Sequence, residues 1–169
     1  MMSYRNRFVL VDGFLVHVDT LMSRIEDPLI RNNYLGFIVT AAVTAYELSI
    51  KDIFIDFSTR KHLVLGTVIS TRFEKMNGRI SLNDLKNDHV KMFGEKYVTK
   101  FNAKLDKAEN ISLRTQNGSL KASYGNVLTW RNNFVHKGAS PATTNYDELK
   151  RSYERGKGVI DCLAAAMRR

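Results

Sequence analysis

Residues 31–57 read RNNYLGFIVTAAVTAYELSIKDIFIDF. Leu35, Ile38, Ala42, Ala45, Ser49 or Ile50, Ile53 and Phe57 recur there at spacings of three and four, the period of one face of an α-helix. Val39, Val43, Leu48 and Phe54 add apolar side chains off that stripe, so this long helix is expected to be buried on more than one side. Its uncharged portion, Asn32 to Tyr46, is too short and too rich in Thr and Asn to cross a bilayer, which takes ~20 apolar residues.

The same period runs outward in both directions. Upstream, Phe8, Val11, Leu15, Val18, Met22 and Ile25 form one stripe on a helix expected from about Tyr4 to Arg24, punctuated by Pro28. Downstream of a turn near Ser58 to His62, Leu65 to Met76 reads as a shorter helix ended by the Asn77-Gly78 cap signal. Ser81 or Asn83 opens the next helix. Its apolar stripe is Val90, Phe93, Tyr97, Phe101 and Leu105, and Lys96, Lys100, Lys104 and Lys107 line a neighbouring face. That face reads either as a solvated surface or as a ridge that tracks phosphates. Glu109 to Gly118 reads as a loop, and Leu120 to His136 is helical again, stopped by Lys137-Gly138 with Ser140-Pro141 beyond. Asn145, with Glu148 three residues on, opens a last helix with Tyr146, Leu149, Tyr153, Gly156, Ile160, Leu163 and Met167 on one seam. No segment alternates in the period of a strand. The expected fold is all-α: a single domain over 1–169, an up-and-down four-helix bundle with a helical pair, about 60–118, inserted between the second and third long helices.

Composition narrows the function classes. With 26 basic and 17 acidic residues the chain carries +9, and its pI is near 9.7. Between Arg72 and Lys137, thirteen basic against six acidic residues leave +7. Nucleic acid is the expected polyanion for such a surface. One cysteine, Cys162, provides neither a disulfide nor a cysteine-built zinc site and fits a reducing compartment. The basic start, Arg5 and Arg7, is followed by an apolar segment broken by Asp12, His17 and Asp19, unlike a signal peptide. A soluble, cytoplasmic protein without a membrane partner is expected. His17, His62 and His89 have no partners at metal-ligand spacing, and Asp52 with Asp56 and Asp84 with Asp88 read as ordinary helix-face pairs. No metal and no cofactor is expected, and phosphate-binding loops, dinucleotide glycine patterns and nucleophilic serine motifs are absent from the sequence.

The stretch Trp130-Arg131-Asn132-Asn133-Phe134-Val135-His136-Lys137-Gly138 carries the candidate chemistry. At about 100° per residue, Arg131 falls between Val127, Leu128, Phe134 and Val135, in the middle of the apolar arc. A guanidinium stays charged in a protein, so that position calls for a carboxylate, a phosphate or a wet interface. His136 lies about 140° from Arg131 and about 40° from Asn132. Glu47 stands on a polar strip of the long helix with Thr40, Thr44 and Lys51. It could orient Arg131 or His136, form an ion pair with Arg131, or simply pair with Lys51 one turn on. With thirteen arginines and four histidines in the chain, an Arg followed by His at this spacing arises about once by chance. Its place on the next-to-last helix, ahead of Lys137-Gly138, gives it weight.

Arg131-Asn132-Asn133-Phe134-Val135-His136, with a polar residue after the arginine, resembles the Arg-x4-6-His signature of the HEPN superfamily. The resemblance covers the four-helix scheme loosely and the motif residue by residue. It implies a metal-independent endoribonuclease acting as a homodimer, both motifs meeting across a cleft, in toxin, antiphage or RNA-processing biology. It equally implies an alternative, since some HEPN proteins are inactive adaptors or RNA- or nucleotide-binding modules. The implied partners are RNA, with tRNA one candidate, a second copy, and an antitoxin or nucleotidyltransferase. The residue types suit the chemistry. RNA supplies its own 2′-hydroxyl nucleophile, histidine exchanges protons near neutrality, and arginine can hold a phosphate through two donors. Arg131, His136, Asn132 and Glu47 are the candidate catalytic residues, with Asn133 weaker. Lys96, Lys100, Lys104, Lys107 and Lys137 are the candidate nucleic-acid contacts.

Overall fold

The computed structural model of the chain describes residues 4–74, 78–138 and 145–168, and every element among them is helical. Helix α1, Asn6–Met22, buries Phe8, Val11, Leu15, Val18 and Met22 of the expected stripe, and ends before Ile25, which is half-buried beyond it. Helix α2, Pro28–Lys61, is longer than its apolar pattern implies at both ends. Pro28 opens it rather than merely preceding it: in the first turn its missing N–H costs nothing, and Asp27 accepts the N–H groups of Leu29 and Ile30.

His62 is extended and ends α2, so that α3, Leu63–Glu74, folds straight back along it. The pairs Thr59–Gly66 and Phe54–Phe73 step down this hairpin in register, the two phenyl rings stacking at 5.1 Å. A side chain at Gly66 would collide with Thr59, so the tight crossing depends on that glycine. Met76 and Asn77, the expected helix end and cap, lie outside the described residues, as do 139–144 with the Pro141 stop.

The segment after the hairpin departs from the sequence reading in three ways. Ser81 does cap a helix, reciprocally with Asp84, but this α4, Leu82–Asp84, widens at once into a π-helical turn, Leu85–Val90. A 3-10 turn, Lys91–Phe93, and Gly94 at φ +107° then break the helix that was expected to run on unbroken. Helix α5, Glu95–Arg114, continues through residues expected to be a loop. Glu109 is polar there for another reason: its carboxylate accepts the Leu120 and Lys121 N–H groups and the Ser119 hydroxyl, capping the following helix. At 20 residues α5 is longer than the bundle helices α1 and α6, so the inserted pair is larger than expected.

Helix α6, Leu120–Lys137, ends at Gly138 in the left-handed region, and α7, Tyr146–Ala166, starts from the expected Asn145 cap. Helices α1, α2, α6 and α7 enclose the core, with α5 laid against α7 through Phe101 and Leu105. At the centre the Tyr46 ring stacks between Tyr124 (5.2 Å) and Tyr153 (5.6 Å), and its hydroxyl donates to the Tyr153 carbonyl at 2.6 Å. Gly156 leaves room for that hydroxyl. A Cβ there would lie 2.2 Å from it. Among the described residues no helix is long and apolar enough to cross a membrane.

Candidate active site

The register of the α2–α3 hairpin carries the chain past Glu74 to place Gly78 opposite Glu47, whose carboxylate accepts the Gly78 N–H at 3.0 Å. Between α2 and α6 this leaves a groove of about 370 Å³, lined by Thr40, Val43, Thr44 and Glu47, by Gly78, and by Arg131, Val135 and His136. Three of the four candidate catalytic residues therefore share one groove. The fourth, Asn132, is exposed and lines a neighbouring depression with Asp84, Tyr124 and Thr129, on the other side of Gly78. The shared edge inferred for Asn132 and His136 from helix angles does not bring them into one groove. Asn133 is half-buried, and its carbonyl takes part in the Gly138 cap.

Arg131 is half-buried with its guanidinium beside Gly78, Nη2 2.7 Å and Nη1 3.2 Å from where a Cβ on that glycine would stand. Among the described residues it makes no hydrogen bond and no ion pair. Of the three arrangements open for Glu47, the pair with Lys51 forms, at 2.9 Å between side chains that are each less than one-fifth exposed. One carboxylate oxygen thus faces Lys51 and the other Gly78, so the acid pairs with a lysine and leaves the arginine without a carboxylate partner among the described residues. His136 is exposed at the last turn of α6, beside Val135.

Residues 78–80 are pinned from three directions. Glu47 on α2 holds the Gly78 N–H, His89 on the π-helical turn meets the Arg79 carbonyl at 2.7 Å, and Tyr124 on α6 donates to the Ile80 carbonyl at 2.6 Å. A carbonyl can only accept, so the His89 Nε2 carries the proton in that contact. Burial, and then the nearby Asp84 charge, push the Tyr124 hydroxyl far above the ordinary tyrosine range, which keeps it a donor. In the sequence Gly78 reads as part of a helix cap and Tyr124 carries no signal of this role, because a contact across the hairpin has no trace in local periodicity.

The lysines of α5 line no part of this groove. Lys96, Lys104 and Lys107 are exposed, and the half-buried Lys100 holds its ammonium 5.7 Å over the Tyr97 ring. Lys137 is exposed one residue past His136. Among the described residues no group of three or more His, Cys, Asp or Glu side chains could hold a metal ion.

No curated protein and no solved structure matches the chain. The RiboL-PSP-HEPN family model matches residues 14–168, a span that takes in Glu47, Gly78 and the whole Arg131 to His136 motif. That match covers nearly the entire all-α fold, and the chain belongs to the RiboL-PSP-HEPN family.

Proposed function

We propose that the chain is a metal-independent endoribonuclease that works as a homodimer. The observation that carries this reading is the groove in which Arg131, with no anion partner among the described residues, stands with His136. A half-buried guanidinium without a counter-ion is stabilised by binding one, and a phosphodiester fits its two parallel donors. His136 takes the proton of the RNA 2′-hydroxyl, the 2′-oxygen bonds to phosphorus, and the bond from phosphorus to the 5′-oxygen breaks. That oxygen leaves with a proton drawn from solvent, and the products are a 2′,3′-cyclic phosphate and a 5′-hydroxyl end. Arg131 stabilises the charge on the phosphate oxygens as the bond order changes. Glu47 acts at one remove, as a positioning residue that fixes Gly78 behind the guanidinium.

Dimerisation is supported by exposed apolar side chains on the two helices that line the groove. Val135, in the groove itself, is 51 % exposed, and Phe37, packed on Phe134 of the same helix as Val135, is 60 % exposed. A second copy seated there brings a second Arg131 and His136 to one phosphate. Toxin, antiphage and RNA-processing roles are all consistent with this chemistry.

Incubation of the full chain with total RNA and with tRNA in EDTA tests the reading. Cleavage with cyclic phosphate ends is expected, lost in Arg131→Ala and in His136→Ala. Undiminished cleavage by both folded variants would sink it. Binding that falls with salt, without cleavage, would instead favour an RNA-binding adaptor.

A further inference from the structure

We infer that a second groove, on the other side of the pinned segment, binds the backbone phosphates of single-stranded RNA that flank the cleavage site. This groove is the larger, about 660 Å³, and Arg72, Arg79, His89 and Lys91 line it with one carboxylate, Asp88. Its identity as an RNA track rests on the RNA-cleaving reading. Its existence as a polyanion site rests on the following geometry.

Gly78 lines the Arg131 groove and Arg79, the next residue, lines the second, so one peptide bond joins residues that border both grooves. That bond is not free to swing, because Glu47, His89 and Tyr124 hold residues 78, 79 and 80 from three elements. A strand with one phosphate on Arg131 that runs past residue 79 meets this second set of cations. The π-helical turn makes that set possible. Its wider winding presents Asp88 and His89 toward Arg79, and such turns persist where geometry matters more than helix stability.

The cations are available. Arg72 makes no ion pair among the described residues. Arg79 meets Asp88 only at 3.3 Å with both side chains at least half exposed, and Lys91 meets Glu95 at 3.4 Å in an equally exposed pair. Exposed pairs of this kind hold only weakly, so a phosphate displaces the carboxylate readily. The α5 lysines line neither groove, which makes this groove the better candidate for a directed strand than the ridge formed by their spacing.

The test is anisotropy titration of a labelled single-stranded RNA dodecamer and a labelled trinucleotide, across a salt series, against the full chain carrying His136→Ala. Adding Arg72→Ala with Arg79→Ala is expected to weaken dodecamer binding about tenfold. It should also flatten the salt dependence by about 1.4 log units per log unit, at about 0.7 for each phosphate that the protein no longer neutralises. The trinucleotide, which spans only the Arg131 groove, should lose far less. Arg24→Ala with Arg114→Ala removes the same charge elsewhere and should leave the dodecamer affinity unchanged.

Equal dodecamer affinity and slope with and without Arg72 and Arg79 would overturn the inference, as would an equal loss in the Arg24 and Arg114 control or no dodecamer binding by the parent. Inorganic triphosphate that binds through Arg72 and Arg79 while RNA binding ignores them would assign the groove to free phosphate compounds and also overturn it. The wild-type chain, assayed for cleavage alongside, separates the two claims. Groove-dependent binding without cleavage removes the ribonuclease reading alone, and cleavage with groove-independent binding removes the RNA track alone.

Discussion

Gly78→Ala is the substitution whose consequences divide most sharply between stability and activity. The residue has φ +71°, where a side chain costs roughly 1–2 kcal/mol. For a chain of this length that lowers the melting temperature by about 2–8 °C. The new Cβ would also stand 2.7 Å from the Arg131 Nη2, 0.7 Å inside the 3.4 Å at which ordinary contact begins. The guanidinium is the tip of a flexible side chain, so it gives way and the backbone, pinned at 78–80, does not. A displacement of that size at a reacting phosphate costs on the order of tenfold to a hundredfold in rate.

Asparagine separates the two effects. It tolerates the left-handed region better than alanine does but carries the same Cβ. Gly78→Asn should therefore recover part of the lost melting temperature and none of the lost kcat/KM for RNA cleavage. The assay is a thermal melt beside a cleavage time course for the wild-type chain and both variants. If Gly78→Ala melts lower yet cleaves RNA at the wild-type rate, the position of the guanidinium against residue 78 is irrelevant to the chemistry. If activity returns with Asn in step with stability, backbone strain was the whole effect.

Other expectations follow from the fold. Gly156→Ala should cost about 2–4 kcal/mol in urea unfolding, because the Cβ overlaps the Tyr46 hydroxyl and breaks its bond to Tyr153, outweighing a helix-propensity gain of about 1 kcal/mol; an unchanged midpoint would contradict the packing described. Asp19 is held below the ordinary aspartate range by the Lys150 ammonium and then the Tyr146 hydroxyl. A depressed carboxylate contributes stability above its unfolded value of about 3.9 that is lost as pH falls through the folded one. Asp19→Asn should accordingly flatten the fall of the urea midpoint below about pH 4, and an identical acid profile would refute the pairing. Burial raises the Cys162 thiol, so at about pH 8 iodoacetamide should label the native chain far more slowly than the urea-unfolded one, and equal rates would place the thiol at the surface.

The stripes of α1, α2 and α7 and the caps at Ser81 and Asn145 were legible because each depends on neighbours within a turn or two. Arg131, Glu47 and His136 were legible as candidates for the same reason: charge within an apolar arc or on a polar strip is a local anomaly. What local spacing hides is register between elements. Gly78 reaches Glu47 across 31 residues only because His62 turns the hairpin without slack. The winding of 85–90 follows no apolar period, and Glu109 looked like loop because its partner is the start of the next helix. Asn132 was grouped with His136 by helix angle alone, which cannot know that Gly78 would divide the surface between them.

The distribution of Glu47's bonds bears on why the groove is cationic at all. A carboxylate facing an arginine and a lysine makes its stronger pair with the arginine, whose planar donors fit both oxygens at once. Here one oxygen goes to Lys51 at 2.9 Å and the other to the Gly78 N–H at 3.0 Å, leaving none aimed at Arg131 in the same groove. The hairpin enforces this, since bringing Gly78 over Glu47 occupies the oxygen a bidentate arginine pair would need. Stability is thereby forgone at one site, and forgone interactions of this kind concentrate where a ligand completes them. Residues 78 and 79 on this account belong with the candidate site: Gly78 occupies the acid that would otherwise face the arginine, and Arg79 lines the neighbouring groove.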